Sequence, residues 1–99
     1  MDVLQIITEP TRRQILSLIW DDERAAGEIA SQFDSTFGAV SQHLGVLRDA
    51  GFVTVRREGT RRIYRANQDA LAPLRPILEA MWADQLKQIA EAIETGEGR

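Results

Sequence analysis

Three features of the sequence predict a mainly α-helical domain carrying a two-stranded β-hairpin. Apolar residues recur at helical spacing through most of the chain. Two runs rich in Val, Thr, Ile and Tyr adjoin Glu58-Gly59-Thr60, and a long apolar-periodic stretch follows them. Helices are expected at about 2–8, 11–21, 25–33 and 36–50, strands at 52–57 and 61–66, and a long C-terminal helix at 74–94. With 99 residues, 43% of them hydrophobic, the chain suits one domain, 1–99, of modest core.

Val3, Ile6 and Ile7 suit a brief helix or packed arm, and Pro10 can open the next helix, where a missing N–H does no harm. Ile15, Leu16, Ile19 and Trp20 share a face there. Asp21-Asp22-Glu23 ends the pattern and reads as a solvated linker. A second short helix from Ala25 turns Ile29 and Phe33 inward. Of the three potential caps Asp34, Ser35 and Thr36, Thr36 is favoured to start a helix that buries Val40, Leu44 and Leu47 and stops at Gly51. In the hairpin that follows, Gly59 is the residue best able to take positive φ, and Tyr64 is expected to anchor the hairpin to the core. Pro73 and Pro76 restrict the region before the long helix, which gives a small turn near 68–72, and the tail from Thr95 with Gly96 and Gly98 should fray. Helices joined by a tight turn, then a capped helix and a hairpin, match a winged helix-turn-helix.

Charge separates this chain into parts. Its formal net charge is -3, yet Thr36 to Asn67 holds six arginines against two acidic residues, a local charge of +4. An acidic chain with one basic hairpin beside a helix points at a polyanion. Cysteine is absent, which excludes disulfides and thiolate metal sites; no run approaches a membrane span, and the N-terminus lacks signal-peptide character. A soluble cytoplasmic protein with no membrane partner is expected.

The helix from Thr36 carries Gly38, Ser41, Gln42, Gly45 and Arg48 opposite its apolar stripe. Each interior glycine costs about 1 kcal/mol relative to alanine, tolerable where a backbone must approach a ligand closely. A major groove admits such a helix, and its first turn, with Thr36, can face phosphate. Ser41 and Gln42 have the reach of base-edge readers. Phe37 either packs on the previous helix or meets a thymine methyl at the groove mouth. His43, beside the buried stripe, reads as a hydrogen-bonded, half-core residue. Because strand neighbours point to opposite faces, Arg56-Arg57 and Arg61-Arg62 cannot all serve one site; the tip presents Arg57, Thr60, Arg61 and Arg62 to phosphates or to an adjacent minor groove. The terminal helix has more apolar surface than one domain can hide. Val3, Leu4, Ile7, Leu74, Leu78, Met81, Trp82, Leu86, Ile89 and Ile93 are therefore expected at a two-fold dimer interface.

The strings EPTRRQILSLI, GEIASQF and AVSQHLGVLRDAGFVTVRREGTRRIYRA resemble the ArsR/SmtB family of bacterial winged-helix repressors, from about Leu4 to Ala66. LAPLRPILEAMW resembles members that lack a metal site, the small autorepressor-like branch. The resemblance implies a homodimer on an imperfect palindrome in promoter DNA, with Ser41, Gln42 and the residues just before them in the major groove and the wing arginines on the backbone. It also implies that Arg12 or Arg13 can reach a phosphate, unless they pair with nearby acids, and that His43 has a structural place near the DNA surface. The family's paired-cysteine positions here read Ala25 and Gly27. The terminal helix offers Glu79, Asp84, Glu91 and Glu94 but no histidine, a poor transition-metal set. No metal or cofactor is implied, and no small-molecule effector is identified. The expected function is sequence-specific repression without chemistry: no nucleophile–base pair is on offer. The alternative is a winged-helix module that binds another protein.

Overall fold

Each helix starts where a side chain or a proline deals with its free amide groups. The computed structural model describes residues 2–97, without the side chains of residue 92 and residues 94–97. The Asp2 N–H donates to Gln5 Oε1 at 3.2 Å as α1 (Val3–Thr8) begins. Pro10 opens α2 (Pro10–Leu18), and Glu9 Oε2 accepts the Arg12 N–H at 2.9 Å. This helix stops short of residue 21 because the sheet claims its last carbonyls. Ile19 O accepts the Ala66 N–H at 3.0 Å and Leu18 O accepts Arg24 Nε at 3.3 Å.

A third strand corrects the two-stranded expectation. β1 (Arg24–Ala25) pairs antiparallel with β3 (Arg61–Ala66), the partner of β2 (Val53–Glu58), so the sheet order is β1-β3-β2. A two-residue strand has no alternation to read; pairing alone creates it. With Ala25 in the strand, the helix expected from residue 25 to 33 shortens to α3 (Ala26–Ala30).

α4 (Phe37–Asp49) has the expected cap: Thr36 Oγ1 accepts the Ala39 N–H at 3.1 Å. Its end is a Schellman motif. Gly51, at φ +80°, donates to Arg48 O, and Phe52 N–H donates to Leu47 O, both at 2.9 Å. β2 (Val53–Glu58) and β3 (Arg61–Ala66) pair from Val53↔Ala66 to Glu58↔Arg61. That leaves a two-residue turn, Gly59-Thr60. Gly59 has φ +64°, as a hairpin turn with glycine first requires. The turn expected near residue 68 is itself helical: α5 (Gln68–Leu71), capped by Asn67 Oδ1, leads through a 3-10 turn (Ala72–Leu74) into α6 (Arg75–Glu97). The fraying expected beyond Thr95 falls on a tail whose side chains, and at Gly98 and Arg99 the backbone, lie outside the described residues. The same holds for the Glu94 carboxylate.

One apolar core joins α1, α2, α3, α4, the sheet, α5 and the start of α6 through Ile7, Ile15, Leu16, Ile29, Leu44, Leu47, Val53, Tyr64, Leu71 and Leu78. Tyr64 is buried as expected, and so is Ile63 on the opposite strand face, where Ala25 of β1 pairs with it. Trp82 meets Trp20 edge-on, with ring centroids 5.4 Å apart, and its indole N–H donates to Arg13 O at 2.9 Å. Ile7 and Leu78, expected at a dimer interface, are instead sealed in the chain's own core. The packing of α1 and of the first turn of α6 against α2 accounts for this. Beyond Trp82, Leu86, Ile89 and Ile93 of α6 are exposed, Leu86 and Ile89 still bordering a cleft with Leu18 and Phe33. Among the described residues no helix is long and apolar enough to cross a membrane.

Candidate nucleic-acid interface

α4 is held by one face and open on the other. Val40, Leu44 and Leu47 are buried, whereas Thr36, Phe37, Gly38, Ser41, Gln42 and Arg48 are exposed. A Cβ added at Gly38 or Gly45 would meet nothing closer than about 4 Å: Thr36 Oγ1 at 4.0 Å and Arg48 Nη2 at 3.9 Å. The chain's own packing therefore does not require either glycine. Of the two placements open for Phe37, core packing fails: the side chain is 58% exposed and lies outside the hydrophobic cluster. As the first residue of α4 it projects from the capped end, while Phe33, on the chain before it, takes the inward position.

The hairpin sorts its arginines by strand face. Arg57 stands directly opposite Arg62, both exposed, and among the described residues no carboxylate forms an ion pair with either. Like charges facing each other across a strand pair repel, so this face favours an anion. Arg56 is tied inward. Its Nε and Nη2 bond the two oxygens of Glu23, each at 2.9 Å, and its Nη1 bonds Glu58 Oε2 at 2.8 Å. The Arg56 hydrogen bond holds the Glu23 carboxyl below its ordinary range, and the same contacts raise Arg56 further. Arg61 bonds Glu28 Oε1 at 3.0 Å, and that oxygen also accepts the Ala25 N–H at 3.1 Å. The supposed solvated linker thus supplies Glu23, and α3 supplies Glu28, as braces for the wing. Each sits 33 residues from its arginine, and no sequence periodicity links them.

A cleft of about 510 Å³ separates wing from helix. Phe37 and Ser41 line one wall, Thr60, Arg61 and Arg62 the other, and Gly27 and Glu28 the floor. Arg48 sits farther along α4 and pairs with Asp49, an exposed neighbour pair at 3.2 Å that restrains it little.

Arg12 does not belong to this surface. It is 8% exposed and points into the fold, donating to Ile6 O at 2.7 Å and Gln5 O at 3.0 Å. Its Nη1 lies 3.2 Å from His43 Nδ1; a guanidinium only donates, so the imidazole accepts. The α1 carbonyls draw it inward and remove it from phosphate reach. Arg13 likewise bonds Ile7 O and Thr8 O. His43 is half-buried, bonded as expected of a structural residue.

Comparison with known proteins bears on the whole arrangement. Residues 9–55, from the cap of α2 into β2, match the profile of the bacterial regulatory proteins of the arsR family. The transcriptional regulator Rv2034 of Mycobacterium tuberculosis is 37% identical over 91 residues, 92% of this chain and 85% of that protein. This chain belongs to the ArsR family. The transcriptional repressor SdpR of Bacillus subtilis is 34% identical over 70 residues, covering 71% of this chain and 78% of its own. The homodimeric winged helix-turn-helix DNA-binding domain of Mb0332 from Mycobacterium bovis superposes with a TM-score of 0.70 at 32% identity, over 85% of this chain and 78% of that one. As an ArsR-family member the chain is a winged helix-turn-helix transcriptional regulator and not an enzyme.

Proposed function

We propose that this regulator is a cytoplasmic homodimeric repressor that occupies a two-fold-symmetric promoter operator. The observation that carries the reading is the coincidence, across one cleft, of an open α4 face with the exposed, directly opposed Arg57 and Arg62. In this reading the single domain sets Thr36, Phe37, Gly38, Ser41 and Gln42 at the major groove, with Gln42 bonding adenine. Arg57 and Arg62, with Thr60 beside them and Arg48 at the far end of α4, bind phosphates and fix the register, while Arg61, bonded to Glu28, braces the wing. The open space over Gly38 suits close backbone approach.

Dimerisation is supported by the exposed α6 stripe Leu86, Ile89 and Ile93 with Val3 and Leu4 of α1, and by the homodimeric Mycobacterium bovis neighbour. Leu74, Met81 and Trp82, half-buried at the root of the stripe, border it. Repression is the role of the Bacillus subtilis relative. A mechanism independent of metal is favoured because the chain has no cysteine and its only histidine bonds Arg12. Titrating binding to promoter fragments against salt tests the reading. The four phosphates held by two copies of the Arg57–Arg62 pair alone contribute about -3.6 to the log–log slope. No binding at low salt, or binding indifferent to salt, would leave the wing and helix to a protein partner instead.

A further inference from the structure

We propose that Phe37 reads the C5-methyl group of a thymine in each half-site; the inference rests on α4 entering the major groove as proposed above. Phe33 and Phe52 are packed into the fold, but the Phe37 ring is 58% exposed and lies outside the hydrophobic cluster. Its position is fixed all the same. It is the first residue of α4, immediately after Thr36, whose hydroxyl oxygen caps Ala39, and it stands one turn from Ser41 on the same side of the cleft.

A phenyl ring has no polar atom to pair with a donor or acceptor on a base edge. Among the four bases only thymine presents an apolar group in the major groove, its C5-methyl. The neighbouring Gly38 carries no side chain and has open space above it, so a base edge can approach the ring from that side. Ser41 and Gln42 supply the polar half of the readout. Phe37 then adds the one discrimination they cannot make, which is a methyl against a hydrogen.

The test uses the full chain and the duplex it selects from a random library. Each thymine of that duplex is replaced in turn by deoxyuridine, which pairs identically but lacks the methyl. Wild type should lose about fourfold in affinity at one thymine of each half-site, equivalent to about 0.8 kcal/mol for one buried methyl-sized group. Phe37→Ala should bind the thymine and uracil duplexes equally while keeping its salt dependence; Phe37→Leu, which keeps an apolar contact, should retain part of the preference. Wild-type indifference to every replacement would overturn the proposal, and so would an undiminished thymine preference in Phe37→Ala. Loss of the dimer by Phe37→Ala in sedimentation would also overturn it, by making the ring an assembly contact. If wild type binds no DNA, the operator reading fails and this inference with it. If it binds an enriched sequence without any uracil effect, only the inference fails.

Discussion

The buried guanidinium of Arg12 joins three parts of the chain: the end of α1, the start of α2 and His43 on α4. Replacing Arg12 by Met keeps the stem but leaves the Gln5 and Ile6 carbonyls without these donors. A loss of about 2–3 kcal/mol in urea unfolding is expected, since hydrogen bonds from a charged group are worth more than neutral ones. The salt slope of DNA binding should stay that of wild type. A stability-neutral variant with a shallower slope would return Arg12 to the phosphate surface. The residue's placement was not legible in the sequence, because an arginine is buried only where backbone carbonyls converge on it, and here the bend between α1 and α2 brings them together. Thr36 was legible: its cap depends on residues three positions apart. So was the stripe Val40, Leu44 and Leu47, which follows from helical period alone.

At the scale of elements, the wing divides its arginines between two strand faces. Arg56 and Arg61 hold the hairpin to Glu23 and Glu28; Arg57 and Arg62 share the other strand face, that of Tyr64, and stand exposed at the tip. The alternation of strand faces told from sequence that the four arginines could not act together. The direction of each pair depended on carboxylates distant in the chain. Replacing Arg57 and Arg62 together with Ala should weaken binding to all sequences alike and reduce the magnitude of the salt slope by nearly two per protomer. Replacing Arg56 and Arg61 should affect the slope less. Equal effects from the two double variants, measured by fluorescence anisotropy over a salt series, would contradict the division.

The brace also has a pH dependence. Chiefly because Arg56 donates to it, the Glu23 carboxyl titrates below its ordinary 4.5 in the folded chain. Its contribution is complete above that value and is lost as pH falls through the lowered one. Glu23→Gln should therefore lose less stability than wild type on acidification below about pH 4.5. Identical acid limbs in the two melting series would show that the tie is too weakly coupled to folding to matter.

For the molecule as a whole, the long α6 links a core contact to an open stripe. Leu78 is sealed within the domain, whereas Leu86, Ile89 and Ile93, further along the helix, stand exposed. The 3.6-residue period made the stripe readable, but not where the domain's own packing ends and free surface begins. That boundary is set by Trp82 against Trp20. Replacing Leu86 and Ile89 by Glu should yield a folded monomer in sedimentation, because both side chains lie outside the core; unchanged mass would place the dimer contact elsewhere. Monomers should also bind a two-half-site duplex far more weakly, since linkage of two modest contacts is what raises the affinity of the pair.

The central claim, that this ArsR-family chain works as a dimer on symmetric DNA, is tested most directly by selecting bound duplexes from a random library and measuring the mass of the resulting complex. The account predicts an enriched two-fold-symmetric sequence with half-sites centred one helical turn apart, about 34 Å, or a multiple of it, and two chains per duplex. A library with no enriched sequence, or one chain bound to a single asymmetric site, would contradict it.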